Sequence, residues 1–250
     1  MIFIENGENL GFAKGNNVGI RLATIAGADW VMLLNNDTEV APNAFQELRS
    51  FLSANPSVFA VTPQIRFFNP STKIQNCGGS LTYFGSRKYA YANTDATATA
   101  ETTRSTISFV TGCALLFKHV VTGPLSEDFF FGEEDYEFSL RMQKRDLTMA
   151  CAHHAIVFHK VGTSITRAST TLGAILVNYA CRLINTRNYY SSFRWQTTRL
   201  LAYLYLPVVL AKNGINLRKA LFAARTVDSY VRGHTGMGAA EFRSMIAINE

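Results

Sequence analysis

The feature that most limits the fold is a run of five apolar residues, Trp30-Val31-Met32-Leu33-Leu34, which stops abruptly at Asn35-Asn36-Asp37-Thr38-Glu39. So short and unbroken a run fits a buried strand of a parallel sheet. Asp37 then stands at the strand's carboxyl end, where open α/β sheets keep their ligand crevice. The flanking sequence agrees. Met1 to Glu5 reads as a short strand, and a helix follows from about Lys14 to Ala26. Pro42 opens a second helix with Phe45, Leu48, Phe51 and Leu52 on its apolar face, and Val58 to Thr62 is again strand-like. Strand and helix alternate over the first sixty residues, which predicts an α/β fold.

Farther along, Ile65 to Arg87 is turn-rich, and the Thr- and Ala-rich stretch Asn93 to Thr106 reads as a mobile loop. Ser108 to Lys118 has strand composition. An acidic helix is expected near Glu133, with short strands at Thr148 to Cys151 and Ala155 to His159. From Thr170 onward the pattern is helical, and Leu172, Ile175, Leu176, Tyr179 and Leu183 make one amphipathic helix. Two domains are expected, 1–165 and a helical extension over 166–250. The apolar stretch Leu200 to Ala211 has twelve residues where a membrane span needs about 20, so it reads as a core or interfacial helix.

With 48% hydrophobic residues the chain can bury a core, which excludes a disordered protein. The cysteines, Cys77, Cys113, Cys151 and Cys181, lie far apart with no CxxC pair, so neither a zinc ribbon nor a disulfide framework is indicated. They read as buried thiols of a cytoplasmic protein, and the N-terminus shows no signal-peptide pattern. Charge is uneven. Lys160 to Arg232 holds eleven Lys or Arg against Asp228 alone, a balance of +10, and the remainder balances at −4. Such a basic tail suits either an anionic partner or a set of solvated helix faces.

Four segments carry residues suited to chemistry. Asn9-Leu10-Gly11-Phe12-Ala13-Lys14-Gly15-Asn16-Asn17 lies between strand and helix patterns; its glycines admit close backbone approach, and Lys14 adds positive charge beside a helix N-terminus. Asp37 is suited to a divalent cation held beside phosphates, which takes only one or two protein carboxylates, and equally to a turn before Pro42. Phe129-Phe130-Phe131-Gly132 leads into Glu133, Glu134, Asp135 and Glu137, setting carboxylates against an apolar wall where one can serve as a base. His159 ends a strand-like run, and a lone histidine there is more often structural than catalytic.

Taken in order, these segments resemble the rhamnosyltransferase-like branch of the family 2 glycosyltransferases. Asn9 to Asn17 matches that family's Asn-x-Gly-Phe-(Ala/Gly)-x-Gly-Asn-Asn loop, and Asn35-Asn36-Asp37 matches its metal motif, with Asn35 where Asp is usual. Gly112 matches a glycine in an acceptor-side strand. Glu134, Asp135, Glu137 and Arg141 match its acidic helix start, and His159, Gly162 and Ser164 its His-x-x-Gly-x-Ser element.

The resemblance implies a GT-A α/β fold with a mixed, mostly parallel sheet and a helical C-terminal extension. It implies inverting transfer of a sugar, with Asp135 as base and Glu134 as its alternative. Asn9, Gly11, Lys14, Gly15, Asn16, Asn17, Asn36 and Asp37 would bind the donor, Gly112 and Glu137 would lie on the acceptor side, and Asp37 with His159 would hold Mg2+ or Mn2+. The donor would be a nucleotide-diphosphate sugar, rhamnose being the branch's best-known case. The acceptor would be a saccharide or lipid-linked sugar of cell-surface polysaccharide synthesis, met on the inner face of the plasma membrane.

Relatives open with a strand, a helix and a second strand, and this chain is expected to start at the third strand. An inactive remnant of the family is the rival expectation. A nucleic-acid partner would explain the pI of about 9.2 and the Tyr- and Arg-rich segment Arg187 to Arg199. It would not explain carboxylates at strand and helix ends, so no nucleic acid is expected.

Overall fold

The computed structural model describes residues 2–160 and 172–248. In chain order the elements are α1 (Phe12–Ile25), β1 (Val31–Leu34), β2 (Thr38–Val40), α2 (Ala44–Ala54), β3 (Val58–Phe67), β4 (Ile74–Asn76), β5 (Gly79–Leu81), β6 (Arg87–Tyr89), β7 (Arg104–Ile107), β8 (Ala114–Phe117), α3 (His119–Thr122), α4 (Glu134–Lys144) and β9 (Thr148–His159). Four helices follow: α5 (Leu172–Tyr189), α6 (Ser192–Lys212), α7 (Leu217–Gly233) and α8 (Ala239–Ile246).

The chain folds as two compact units. One comprises Ile20–Pro124 and the chain from Asp135 to Ile165; the other comprises the chain up to Gly19, Leu125–Glu134 and the chain from Thr166 on. This division is not the single cut near residue 165 expected from the sequence. Asn17 shows why: its side-chain amide donates to the Leu125 carbonyl and accepts from the Leu125 N–H, at 2.9 and 3.0 Å, tying two distant segments together.

The first unit is built on a mixed sheet in the order β1-β8-β3-β9-β2, with β4 also beside β3 and β7 beside β9. β3 and β9, its longest strands, run parallel, and the other neighbours join antiparallel. β9 pairs Ala152 with Pro63 and then Ile156 with Gln64, so His153, His154 and Ala155 bulge out of the ladder. The two strands expected over this stretch are the limbs of one bulged strand. On one face α2 buries Leu48 and Phe51 against Val58, Val61, Ala150 and Ala152.

Three local features differ from what the sequence leads one to expect. β1 runs antiparallel to β8 and leaves Leu34 41% exposed, because among the described residues it has a strand neighbour on one side only. The apolar residues near the N-terminus form no strand; Ile2 and Phe3 are 81% and 85% exposed, and strand propensity without a ladder partner does not order a backbone. The polar stretch expected as a mobile loop contains a 3-10 turn, Ala96–Thr99, and β7. Its side chains do the fastening: Gln64 Nε2 donates to Thr99 Oγ1 at 2.7 Å, and Arg104 donates to Asn55 Oδ1 at 2.8 Å.

In the second unit α5 is central. It is buried on nearly every side, at Leu172, Ala174, Leu176, Val177, Ala180, Cys181, Leu183, Ile184 and Asn185, because α6, α7 and α8 all pack on it. The expected amphipathic face is therefore only part of its buried surface. α6 and α7 start on side-chain caps, with Ser191 Oγ accepting from the Arg194 N–H and Asn216 Oδ1 from the Lys219 N–H. Among the described residues no helix is long and apolar enough to cross a membrane. All four cysteines are free and buried. Gly162 and Ser164 lie outside the described residues.

Candidate active site

Asp37 follows β1 in a tight turn closed by Thr38, whose hydroxyl and N–H both donate to the Asn35 carbonyl. β2 then pairs Thr38 with His159 at the end of β9, and Lys160 N–H donates to the Asp37 carbonyl at 2.8 Å. This ladder sets His159 Nε2 3.2 Å from Asp37 Oδ1. His159 Nδ1 lies 2.9 Å from Gln75 Oε1, a partner that puts the ring proton on Nδ1 and leaves the Nε2 lone pair facing the carboxylate. Asp37 Oδ1 is buried and accepts no hydrogen bond. Two lone pairs facing one another are suited to a cation between them. Cis ligands of an octahedral cation at about 2.1 Å stand about 3 Å apart, so the observed spacing fits a divalent metal held by Asp37 and His159.

Asp135 sits in the first turn of α4. Its Oδ2 accepts the Gly112 N–H at 3.2 Å, and Arg87 reaches its Oδ1 at 3.5 Å. Arg87 is itself held over the rings of Phe109 and Tyr136, 4.9 and 5.3 Å from their centres. Gly112 stands in the turn before β8, not within a strand. Its neighbour Cys113 accepts the Asn35 N–H at 2.9 Å, and the Cys113 thiol is pushed up to about 12 by burial, with the Asp37 charge adding to it. The dipeptide Gly112-Cys113 thus joins the two carboxylates: its first N–H holds Asp135, and its second carbonyl holds the turn that carries Asp37.

The other acids are engaged elsewhere. Glu134 is buried and its Oε1 accepts the Gly132 N–H at 2.8 Å. Glu133, with φ +69°, pairs with Arg182 at 3.2 Å. Glu137 is 4% exposed and bonded to Arg141 at 3.0 Å, while Arg141 also donates to the Thr122 and Pro124 carbonyls. That packing makes Glu137 an anchor for the Thr122–Pro124 turn.

In the second unit, the glycine loop is a built turn. Asn9 Oδ1 accepts the Gly11 N–H at 2.9 Å, and Phe12 N–H donates to the Phe130 carbonyl at 3.1 Å. Asn16 bonds back to the Phe12 carbonyl, and Asn17, 2% exposed, is consumed by Leu125 and Glu127. Both asparagines therefore shape the loop. Lys14 is exposed, Gly15 has open space where a side chain would stand, and Asn9 and Lys14 line a cleft of about 200 Å³ together with Glu127 and Arg243. Asn36 is exposed in the turn after β1.

Gly11 has φ +79°, and a Cβ there would lie 2.0 Å from the Phe130 carbonyl oxygen. Gly11→Ala combines overpacking with left-handed strain and is expected to cost about 3 kcal/mol or more. For a chain of this size, that lowers the melting temperature by roughly 6–12 °C. Thermal denaturation followed by circular dichroism checks it; an unchanged midpoint would show that the loop is free to move.

A family model described as "Glycosyltransferase like family 2" matches residues 2–178. The chain belongs to this family. Among solved structures it is similar to one described as "Crystal structure of GalNAc-T7 with UDP, GalNAc and Mn2+", with TM-score 0.56 and 13% identity over 98% of this chain. That likeness confirms the GT-A type of fold. The chain spans 44% of the length of that structure. No curated protein matches.

In this family 2 chain the structure adds residues that the sequence left unmarked. Arg87 lies in the segment read as turns, 48 positions from Asp135, and Gln75 lies 84 positions from His159. No local pattern signals either of them; only the pairing of β3 with β4 and the fold of the β5–β6 hairpin bring them in.

Proposed function

We propose that this chain is an inverting glycosyltransferase that moves a hexose from a nucleotide diphosphate to a hydroxyl of a saccharide or lipid-linked acceptor. The observation that carries the reading is the pair of carboxylates tied to Gly112-Cys113, one with an unpaired oxygen facing an imidazole and the other oriented by Arg87 and a backbone N–H. Asp37 and His159 are the residues to hold Mg2+ or Mn2+. When bound, the cation offsets charge on the departing diphosphate. Asp135 accepts the acceptor's hydroxyl proton as the new oxygen–carbon bond forms at the anomeric carbon and the bond to the diphosphate breaks. Gly112 N–H and Arg87 keep that carboxylate in one orientation. Glu134 is the alternative base. Lys14, exposed in the cleft of the glycine loop, and Gly15 beside it suit an anionic donor group. Asn36, exposed in the turn that carries Asp37, is assigned to the donor as well.

The similar solved structure holds UDP and Mn2+, which supports a nucleotide-diphosphate donor here; a thymidine nucleotide and rhamnose are choices that rest on the sequence resemblance alone. The test is release of nucleoside diphosphate from a panel of UDP- and dTDP-sugars with Mn2+, with and without oligosaccharide acceptors. Turnover of one donor above the others supports the reading. Absence of turnover together with absence of binding for every donor would refute it.

The acceptor's setting is read from α6 and α7. Phe193, Leu200, Leu204, Tyr205 and Val208 of α6 and Leu217 and Phe222 of α7 are exposed by 46–80%. Lys212, Arg218, Lys219 and Arg225 are exposed on the same two helices. Apolar side chains rimmed by cations fit an anionic lipid surface, which suits a lipid-linked acceptor. Sedimentation with vesicles should show binding to phosphatidylglycerol-containing but not to pure phosphatidylcholine vesicles, reduced by salt and by Leu204→Asp with Phe222→Asp. Equal binding to both compositions, or binding to neither, would contradict the assignment.

A further inference from the structure

β9 carries a second cluster, distinct from Asp37 and His159 and made of side chains that the reaction does not use. Cys77 follows β4, Cys151 lies within β9, and His153 opens the bulge two residues later, on the same face of the strand as Cys151. All three are buried, at 0%, 0% and 2% exposure. The two Sγ atoms and an imidazole nitrogen lie within 4.8 Å of one another. His153 Nε2 is 2.7 Å from Ser105 Oγ, whereas His153 Nδ1 is buried with no hydrogen-bond partner.

We infer that Cys77, Cys151 and His153 form a binding site for a thiophilic divalent cation, Zn2+ by its chemistry. Two thiolates and an imidazole are a soft donor set of the kind zinc takes, and calcium, magnesium and manganese do not. Tetrahedral zinc, about 2.3 Å from sulfur and about 2.0 Å from nitrogen, sets its ligand atoms about 3.5–3.8 Å apart, within reach of small side-chain rotations from the observed cluster. The histidine is prepared for this role. Ser105 Oγ is placed to accept an Nε2 proton, as a ligating imidazole directs its outer proton, and in that tautomer the free lone pair is on Nδ1. A buried ring nitrogen without a partner otherwise costs stability, and a cation bound there would remove that cost.

The surroundings agree. Arg66 is held aside by Gln64, its Nε donating to Oε1 at 2.5 Å. Two thiolates neutralise a Zn2+, so the guanidinium faces no net positive ion. His153, Gln64 and Arg66 border a cleft of about 410 Å³, so the cluster lies beside an open cleft at its histidine. The bulge is what aims His153 away from the β3 ladder. No zinc motif is visible in the sequence because Cys77 and Cys151 stand 74 positions apart.

The experiment uses the full chain, reduced and freed of metal by a chelator, titrated with Co2+ and then with Zn2+. One equivalent of Co2+ should give a sulfur-to-cobalt absorption that Zn2+ displaces and that Mn2+ does not. Asp37→Ala should leave the band unchanged, which separates this site from the proposed transferase metal. Cys77→Ser should abolish it. Because a buried cysteine variant can also unfold, Ser105→Ala is the second variant: it keeps all three ligands and should weaken the affinity about 10- to 100-fold. Absence of the band in the wild-type chain would overturn the proposal. So would a band undiminished in Cys77→Ser and Cys151→Ser, or a Cys77–Cys151 disulfide in the protein as purified.

Discussion

Asp135→Asn is expected to lower the rate of sugar transfer by about 10²- to 10⁴-fold, the usual loss when a general base is removed. The amide keeps the size of the side chain and can still accept the Gly112 N–H, so the turn before β8 and the melting temperature should change little. Donor binding should persist, because the change leaves Asp37 and the glycine loop untouched. Arg87 acts through Asp135: Arg87→Met should reduce kcat with little change in donor KM, and Arg87→Lys should recover part of the loss by restoring a cation over Phe109 and Tyr136. Steady-state kinetics on the wild type and these variants check this. If Glu134→Gln is the crippling change and Asp135→Asn is mild, the base is Glu134.

The acid itself is legible in the sequence, and its setting is not. An acidic cluster after three phenylalanines marks the start of α4, and the apolar run Trp30–Leu34 marks a strand with Asp37 just beyond its end. Both signals are local: a short apolar run and a helix dipole act over a few residues. What escapes depends on pairing between distant segments. The antiparallel join of β1 to β8, the parallel ladder of β3 with β9 and the bulge at His153 follow from register, which no short window encodes. The stretch from Asn93 to Thr106 misleads because its polar side chains suggest solvation, whereas Thr99 and Arg104 are spent on holding β7 and the preceding turn to Gln64 and Asn55. Conversely Ile2 and Phe3 mislead because apolar residues promise a strand only where a partner exists.

Asp37→Asn has the second large expected effect. The carboxamide preserves volume but removes the charge that, with His159, suits the pair to a divalent cation. Loss of a Lewis-acid contribution of several kcal/mol corresponds to roughly a 10³-fold drop in turnover. Gln75→Ala should act in the same direction but more weakly: it frees the His159 ring and should lower metal affinity about 10- to 100-fold without touching either ligand. Raising the Mn2+ concentration should rescue Gln75→Ala and leave Asp37→Asn inactive.

The most direct measurement is calorimetry of UDP and dTDP binding to the wild-type chain and to Asp37→Asn, each with Mn2+ and with chelator. The wild type is expected to bind nucleotide with an affinity that falls sharply when Mn2+ is removed, and Asp37→Asn to bind weakly and indifferently to Mn2+. Equal, Mn2+-dependent affinity in both proteins would contradict the assignment of Asp37 and His159 to the donor's metal, and with it the proposed site.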